Sequence, residues 1–347
     1  MCSGSEATES ALKIALQHFW AKGETSRSHF IARDRSYHGN TLGALSVSGF
    51  AFRRQPFEKA LQDATFVSAA NVFRRPVDLE ASAYVQSLAD ELESSIERLG
   101  AENVAGFLFE PVVGAAGGVV PAPRGYARKV REVCDRHDVL MIADEVMCGA
   151  GRCGTWRALA HDGVVPDIMM LAKGLGGGYV PLGATMFSAR VGEPIFANGG
   201  TPNTGHTFTG HTLACAAALR VQEIVKRDAL VERVREKGRA FIDDLRARLN
   251  DIDAVGDIRG RGYFVGVELV RDRLSREPFS PSLGLHQRIG ERAMLEGLIC
   301  YPVGGNVDGQ SGDVAILAPP YNATDKELDE IADKFERSLR SVLADVQ

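Results

Sequence analysis

No apolar run in this 347-residue chain approaches the roughly 20 residues that a membrane-spanning helix needs. That excludes a helical anchor within these residues. The start does not read as a secretory signal either: Met1 to Ser10 is polar and glycine-bearing where a signal would be basic and then apolar. A basic excess is missing, since 40 Lys and Arg stand against 45 Asp and Glu, for a net charge of −5. A nucleic-acid partner would favour the opposite sign, so none is expected. Cysteine is sparse and scattered, at Cys2, Cys134, Cys148, Cys153, Cys215 and Cys300. Such scatter suits reduced thiols in a cytoplasmic protein rather than a disulfide framework. Cys148 and Cys153 are close, but no second pair follows at zinc spacing, so no metal site is expected. The chain also lacks internal repeats and low-complexity linkers.

What is present is ordinary globular composition, 45% hydrophobic and 24% charged, in a length that suits one large domain with a smaller one. The chain opens directly on a helical pattern. Ala7, Ala11, Leu12, Ala15, Leu16 and Phe19 share a face, and Ser3 with Glu6 has the spacing of a capping box. Three apolar runs, Val104–Phe109, Val139–Ala143 and Ile168–Leu171, read as fully buried strands. Between the first two, Tyr126, Val130, Val133 and Cys134 repeat at helical spacing, so the strands are expected to be parallel. Past Gly210 the pattern becomes helices over Leu213–Val225 and Ala229–Leu249, strands within Val255–Val270, and a last helix over Asp325–Leu343. This predicts a mostly parallel α/β domain over residues 1–229 and a smaller α+β domain over residues 230–347.

Ligands of open parallel sheets bind beyond the carboxyl ends of the strands. Glu110, Asp144 and Lys173 stand at those ends. Lys173 is followed by Gly174 and by Gly176–Gly178, which leave its amine little obstructed. A Walker motif is excluded because its lysine follows the glycines. Asp144 ends a wholly apolar strand, so its carboxylate needs a partner. Gly149-Ala-Gly151-Arg-Cys-Gly154 fits GxGxxG, but Asp144 and Glu145 intervene between strand and glycines, and no helix opens after Gly154. A dinucleotide site is therefore not expected. Ser3-Gly4-Ser5 before a helix is a ready anion cradle, Tyr37-His38 offers a ring face, and Thr207 sits in a glycine-bounded turn. An amine, an anion for a pyridine nitrogen, a phosphate cradle and ring packing are what pyridoxal 5'-phosphate requires of a protein.

The ordered segments CSGSEATESALKIA, YHGNTLGALSVSG, FEPVVGAAGG, LMIADEVMCGAGRCG, PDIMMLAKGLGGGYVPLGA, GHTFTGHTLACAAAL, DIRGRGYFVGVEL and VAILAPPYNAT resemble the class III aminotransferases of the fold-type I pyridoxal phosphate enzymes. The resemblance implies that Lys173 is the Schiff-base lysine and proton carrier and Asp144 the partner of the pyridine nitrogen. It implies that Val146 packs under the ring, that Tyr37 stacks above it with His38 alongside, and that Gly4 and Ser5 hold the phosphate. Glu110 would lie near cofactor and substrate, and Thr207 would reach the cofactor of the other subunit in a homodimer. The implied reaction is a ping-pong exchange between an amine or ω-amino acid donor and an oxo-acid acceptor. An aminomutase, a decarboxylase or a binding remnant on the same scaffold stays open. Relatives carry on the order of a hundred residues ahead of the SGSEA motif, so the chain is expected to be truncated relative to them. Tyr301, in Gly297-Leu298-Ile299-Cys300-Tyr301-Pro302, stands where many relatives place a carboxylate-binding arginine.

Overall fold

The computed structural model describes residues 1–198 and 200–346. The first 187 residues supply eight strands. β1 (His29–Arg33), β2 (Thr65–Val67) and β3 (Val104–Phe109) come first, then β4 (Val112–Val113) and β5 (Val120–Pro121) of a small antiparallel ribbon. β6 (Leu140–Asp144), β7 (Ile168–Leu171) and β8 (Ala184–Phe187) follow. Six of these build one sheet in the order β2-β1-β3-β6-β7-β8, parallel except for β8, which runs antiparallel to β7. Every residue of β3, β6 and β7 is buried, as sequences apolar throughout except for the terminal Asp144 of β6 require of strands covered on both faces.

Alternation along β6 feeds two cores. Leu140 and Ile142 pack with helix α1 (Gly4–Ala21) through Ala7, Ala11, Ala15 and Phe19. Met141 and Ala143 pack with the helices Ala81–Leu99 and Tyr126–Arg136 on the other face. Burying a side chain the size of Phe19 is worth about 1.5–3 kcal/mol, so the small-residue face of α1 is held flat against the sheet. Ser3 caps α1 by accepting the Glu6 N–H at 3.2 Å. The Glu6 carboxylate returns to the N–H of Cys2 at 2.6 Å, one residue ahead of the cap, so the expected box closes one position early.

The remainder forms an antiparallel sheet of β9 (Val255–Arg261), β10 (Phe264–Leu269), β11 (Tyr301–Gly304) and β12 (Asp313–Leu317), in the order β11-β12-β10-β9. Helices Leu230–Arg248, Leu285–Leu295 and Asp325–Ala344 cover it around a separate apolar cluster running from Val234 to Leu343. Arg259 ties this sheet to the first 229 residues. It is buried, donates to the carbonyls of Gly117, Gly118 and Val119 at 2.9–3.0 Å, and pairs with Glu268, which also pairs with Arg74. β6 begins and ends one residue later than the sequence suggested, which makes Asp144 the last strand residue. β1, β2, β8, β11 and the helix Ala81–Leu99 were not anticipated. β8 is a half-exposed edge and β2 spans three residues, so neither carries a strong periodicity.

Candidate active site

Beyond the carboxyl ends of β3, β6 and β7 lies a cavity of about 150 Å³. Lys173, Asp144 and Glu110 line it, as do Gly4, Ser5, Tyr37, His38 and Val146. Eight of the nine nominated residues are thus brought together from five segments of the chain. Gly39, Ala115 and Met147 also line it and had not been nominated. All three lie inside the quoted motifs, which gave them no role of their own. Thr207 is not among the lining residues. It sits on an exposed turn elsewhere on its own chain. A larger cavity of about 450 Å³, lined by Arg35, Tyr84 and Asn306, contains none of the nominated residues.

Parallel pairing of β6 with β7 aligns Asp144 with Met170 and so sets its carboxylate beside the segment that leads to Lys173. Oδ1 of Asp144 accepts the Val146 N–H at 2.9 Å, and Oδ2 lies 2.8 Å from Nδ1 of His38. An ionised Asp144 can only accept, so Nδ1 carries the proton in that bond. His38 is locked further by its own N–H, donated to Ser48 Oγ at 2.9 Å, and by its carbonyl, which accepts from Thr8 Oγ1 at 2.7 Å. Its Nε2 is buried without a protein partner. Each Asp144 oxygen retains a second lone pair, which suits a cationic N–H from a ligand.

Glu110 clamps two backbone segments. Its Oε1 accepts the Tyr37 N–H at 3.0 Å and its Oε2 the Gly114 N–H at 2.7 Å. Burial raises its carboxyl above the ordinary range, His38 opposes this and Asp144 reinforces it. Tyr37 is half-buried and packs edge-on against Phe50 at 6.4 Å between ring centres; desolvation raises its phenol.

Anion-binding groups line the same cavity. The N–H groups of Gly4 and Ser5 are in the first turn of an 18-residue helix and have no intrahelical acceptor. The helix dipole favours an anion there. Ser5 Oγ already accepts the Asn40 N–H at 2.9 Å, leaving its hydroxyl hydrogen to donate elsewhere. Backbone approach is close: a Cβ on Gly4 would lie 2.9 Å from Val146 Cγ1, and one on Gly39, at φ +144, would lie 2.7 Å from Ser5 Oγ. Lys173 begins a short 3-10 turn at φ 42, in the left-handed region that non-glycine residues rarely adopt. Such strain persists where the surroundings over-determine it. The glycines of the GxGxxG run have a packing role instead. A Cβ on Gly154 would lie 2.7 Å from Arg235 Cα, so they let the helix Leu230–Arg248 close on this turn.

A strand-end lysine, a buried aspartate with spare acceptor capacity, a helix-start anion cradle and a shared cavity lined by Tyr37 and Val146 fit pyridoxal 5'-phosphate. Fold and site together are those of a fold-type I pyridoxal phosphate enzyme. The chain belongs to the class III aminotransferases: the pattern described as "Aminotransferase class-III" matches residues 1–339. It is similar to an aminotransferase of Gibberella zeae, with 44% identity over 345 residues, 98% of this chain and 68% of the relative. Among solved structures it is similar to an (S)-enantioselective omega-transaminase from Thermomicrobium roseum, with a TM-score of 0.92 and 34% identity. That likeness covers 99% of this chain and 74% of the other. An amine transaminase from an uncultivated Pseudomonas species, solved in its PLP-bound form, gives a TM-score of 0.92 and 34% identity over 99% of this chain and 76% of its own. The protein is a pyridoxal phosphate-dependent aminotransferase. No helix among the described residues is long and apolar enough to cross a membrane.

Proposed function

We propose that this chain transfers the amino group of an amine or ω-amino acid to an oxo acid by a ping-pong sequence, with Lys173 as the covalent attachment point and proton carrier. The observation that carries the residue assignment is the convergence of Lys173, Asp144 and the α1 N-terminus on one cavity. Bound pyridoxal 5'-phosphate supplies an electron sink for the carbon that loses its proton. Asp144, oriented by His38 and Val146, holds a cationic ring nitrogen by charge. Gly4 and Ser5 hold the phosphate, and Val146 and Tyr37 pack on the ring faces. Glu110 fixes the backbone of Tyr37 against that of Gly114. Lys173 Nζ takes up the proton from the amine-bearing carbon and returns it at the product stage. Donor and acceptor would occupy the same cavity in turn, each within reach of Lys173.

Tyr301 is half-exposed on β11. A phenol cannot form the two-pronged ion pair that arginine offers a carboxylate, which favours donors without an α-carboxylate. A homodimer is supported by exposed apolar side chains around the Thr207 turn: Phe208, Leu213 and Leu219 are 60%, 69% and 62% exposed. The separate apolar cluster supports a boundary at residues 229/230. Unpaired thiols at all six cysteines support a cytoplasmic setting.

The test uses purified chain saturated with pyridoxal 5'-phosphate, an aryl-alkyl amine donor and pyruvate. Beyond one equivalent per chain, product should form only with the oxo acid present, and Lys173→Ala should abolish both turnover and the visible band of lysine-bound cofactor. Repeated turnover without acceptor overturns transamination for this chain. An unchanged band in Lys173→Ala overturns the lysine assignment.

A further inference from the structure

A second cavity, of about 300 Å³, lies where the helix Leu230–Arg248 faces the turn at Cys153 and the β9–β10 corner at Gly262. Four arginines line it in a chain of net charge −5: Arg235, Arg239, Arg246 and Arg261. His161 and Asp243 complete the polar lining.

Two of the arginines are already neutralised. Arg246 lies 3.2 Å from Asp243 and donates to the Ile258 carbonyl at 3.0 Å; Arg261 lies 3.4 Å from Asp162. Arg235 and Arg239 make no ion pair or side-chain hydrogen bond among the described residues. They are one turn apart on one helix face, an arrangement of like charges that destabilises a helix. Asp243, one turn beyond Arg239, gives its carboxylate to Arg246 instead. Across the gap His161 donates Nε2–H to the Cys153 carbonyl at 2.8 Å, which fixes the ring beside the arginines. The helix backbone lies close against this wall, since a Cβ on Gly154 would already lie 2.7 Å from Arg235 Cα. The two exposed charges are thus held near each other by the helix they share, with no acid of their own in reach among the described residues.

We propose that this cleft binds a compact polyanion, a polyphosphate group, through Arg235 and Arg239, with Arg246 and Arg261 as the outer ring. Guanidinium groups suit phosphate oxygens through paired N–H donors. The size is that of a small-ligand site. The same chemistry reaches the cleft as free polyphosphate or as the tail of a nucleotide, whose base would rest on Ile242.

The test is calorimetric titration of the cofactor-saturated enzyme with tripolyphosphate, with ATP, and with sodium sulfate at matched ionic strength. Saturation keeps the α1 phosphate cradle filled, and an unchanged visible band checks that it stays so. Tripolyphosphate should bind once per chain with a Kd below roughly 1 mM. The double variant Arg235→Gln/Arg239→Gln, with unchanged circular dichroism and transaminase rate, should bind at least about tenfold more weakly. ATP matching tripolyphosphate assigns the site to the phosphates alone, and ATP binding about tenfold more tightly assigns it to a nucleotide. Binding no stronger than sulfate, or undiminished in the double variant, overturns the proposal.

Discussion

Nδ1 of His38 lies 2.8 Å from Oδ2 of Asp144, and both side chains are closed to solvent. His38 is in turn held through Ser48 and Thr8, so the direction in which Asp144 presents its charge is fixed from three segments. His38→Ala should leave the fold intact and loosen that charge. A hydrogen bond to a charged group is worth about 1.5–3 kcal/mol, which corresponds to about 10- to 100-fold in cofactor affinity. Dialysis followed by the visible absorbance of retained cofactor measures it. Retention equal to wild type would mean that Val146 alone orients the carboxylate.

Lys173 is held at φ 42. Replacement by alanine removes the amine and keeps the strain, whereas glycine removes both. Apo Lys173→Gly should therefore be more stable than apo Lys173→Ala by about 1 kcal/mol, because glycine adopts positive φ without steric cost. Urea denaturation of the two variants reads this directly. Alanine matching glycine would mean that the backbone here relaxes freely.

Glu145 is buried and accepts the N–H groups of Ala158 and Leu159 at 2.6 and 3.0 Å. Burial outweighs those bonds and pushes its carboxyl up to about 7 from an ordinary 4.5. The folded chain then holds a proton that the unfolded chain releases. That contribution is complete below the unfolded value and is lost as pH rises through the folded one, by up to about 1.4 kcal/mol per pH unit. The stability advantage of wild type over Glu145→Gln should therefore shrink between about pH 5 and about pH 8 in urea titrations. An advantage that is constant across the range refutes the shift.

Leu219 is 62% exposed on the helix Thr212–Arg227, only three of whose residues are buried. If this face is the subunit contact, Leu219→Asp should convert dimer to monomer in sedimentation velocity at micromolar concentration. An isolated chain presents Thr207 to no second cofactor, so turnover should fall with the monomer fraction. A dimer that survives the substitution places the contact elsewhere.

The strand-end residues were legible because a buried parallel strand has only one exit. An acid or lysine at that exit has few places to go, which is why Glu110, Asp144 and Lys173 emerged from pattern and the cavity gathers all three. The α1 cradle was legible for the same local reason, a cap followed by small residues. Pairings between distant segments were not. His38 and Asp144 are 106 residues apart, and nothing in either segment announces the other. Arg259, which reaches back 140 residues to Val119, is equally silent in sequence. Met147 lines the cavity because of how the turn after β6 folds, and periodicity does not register a turn.

Asp144 and Glu145 are consecutive carboxyls that leave the same strand on opposite sides. The first faces the cavity, and the second grips the backbone at residues 158–159. A slip of one residue in the pairing of β6 with β3 and β7 would turn Asp144 away from the cavity and carry Glu145 off the backbone at residues 158–159. Alignment of the chemistry is thus proofread by assembly itself. A misaligned sheet forfeits two hydrogen bonds on one side as it loses the charge on the other, so the native register is the one in which both acids find their partners.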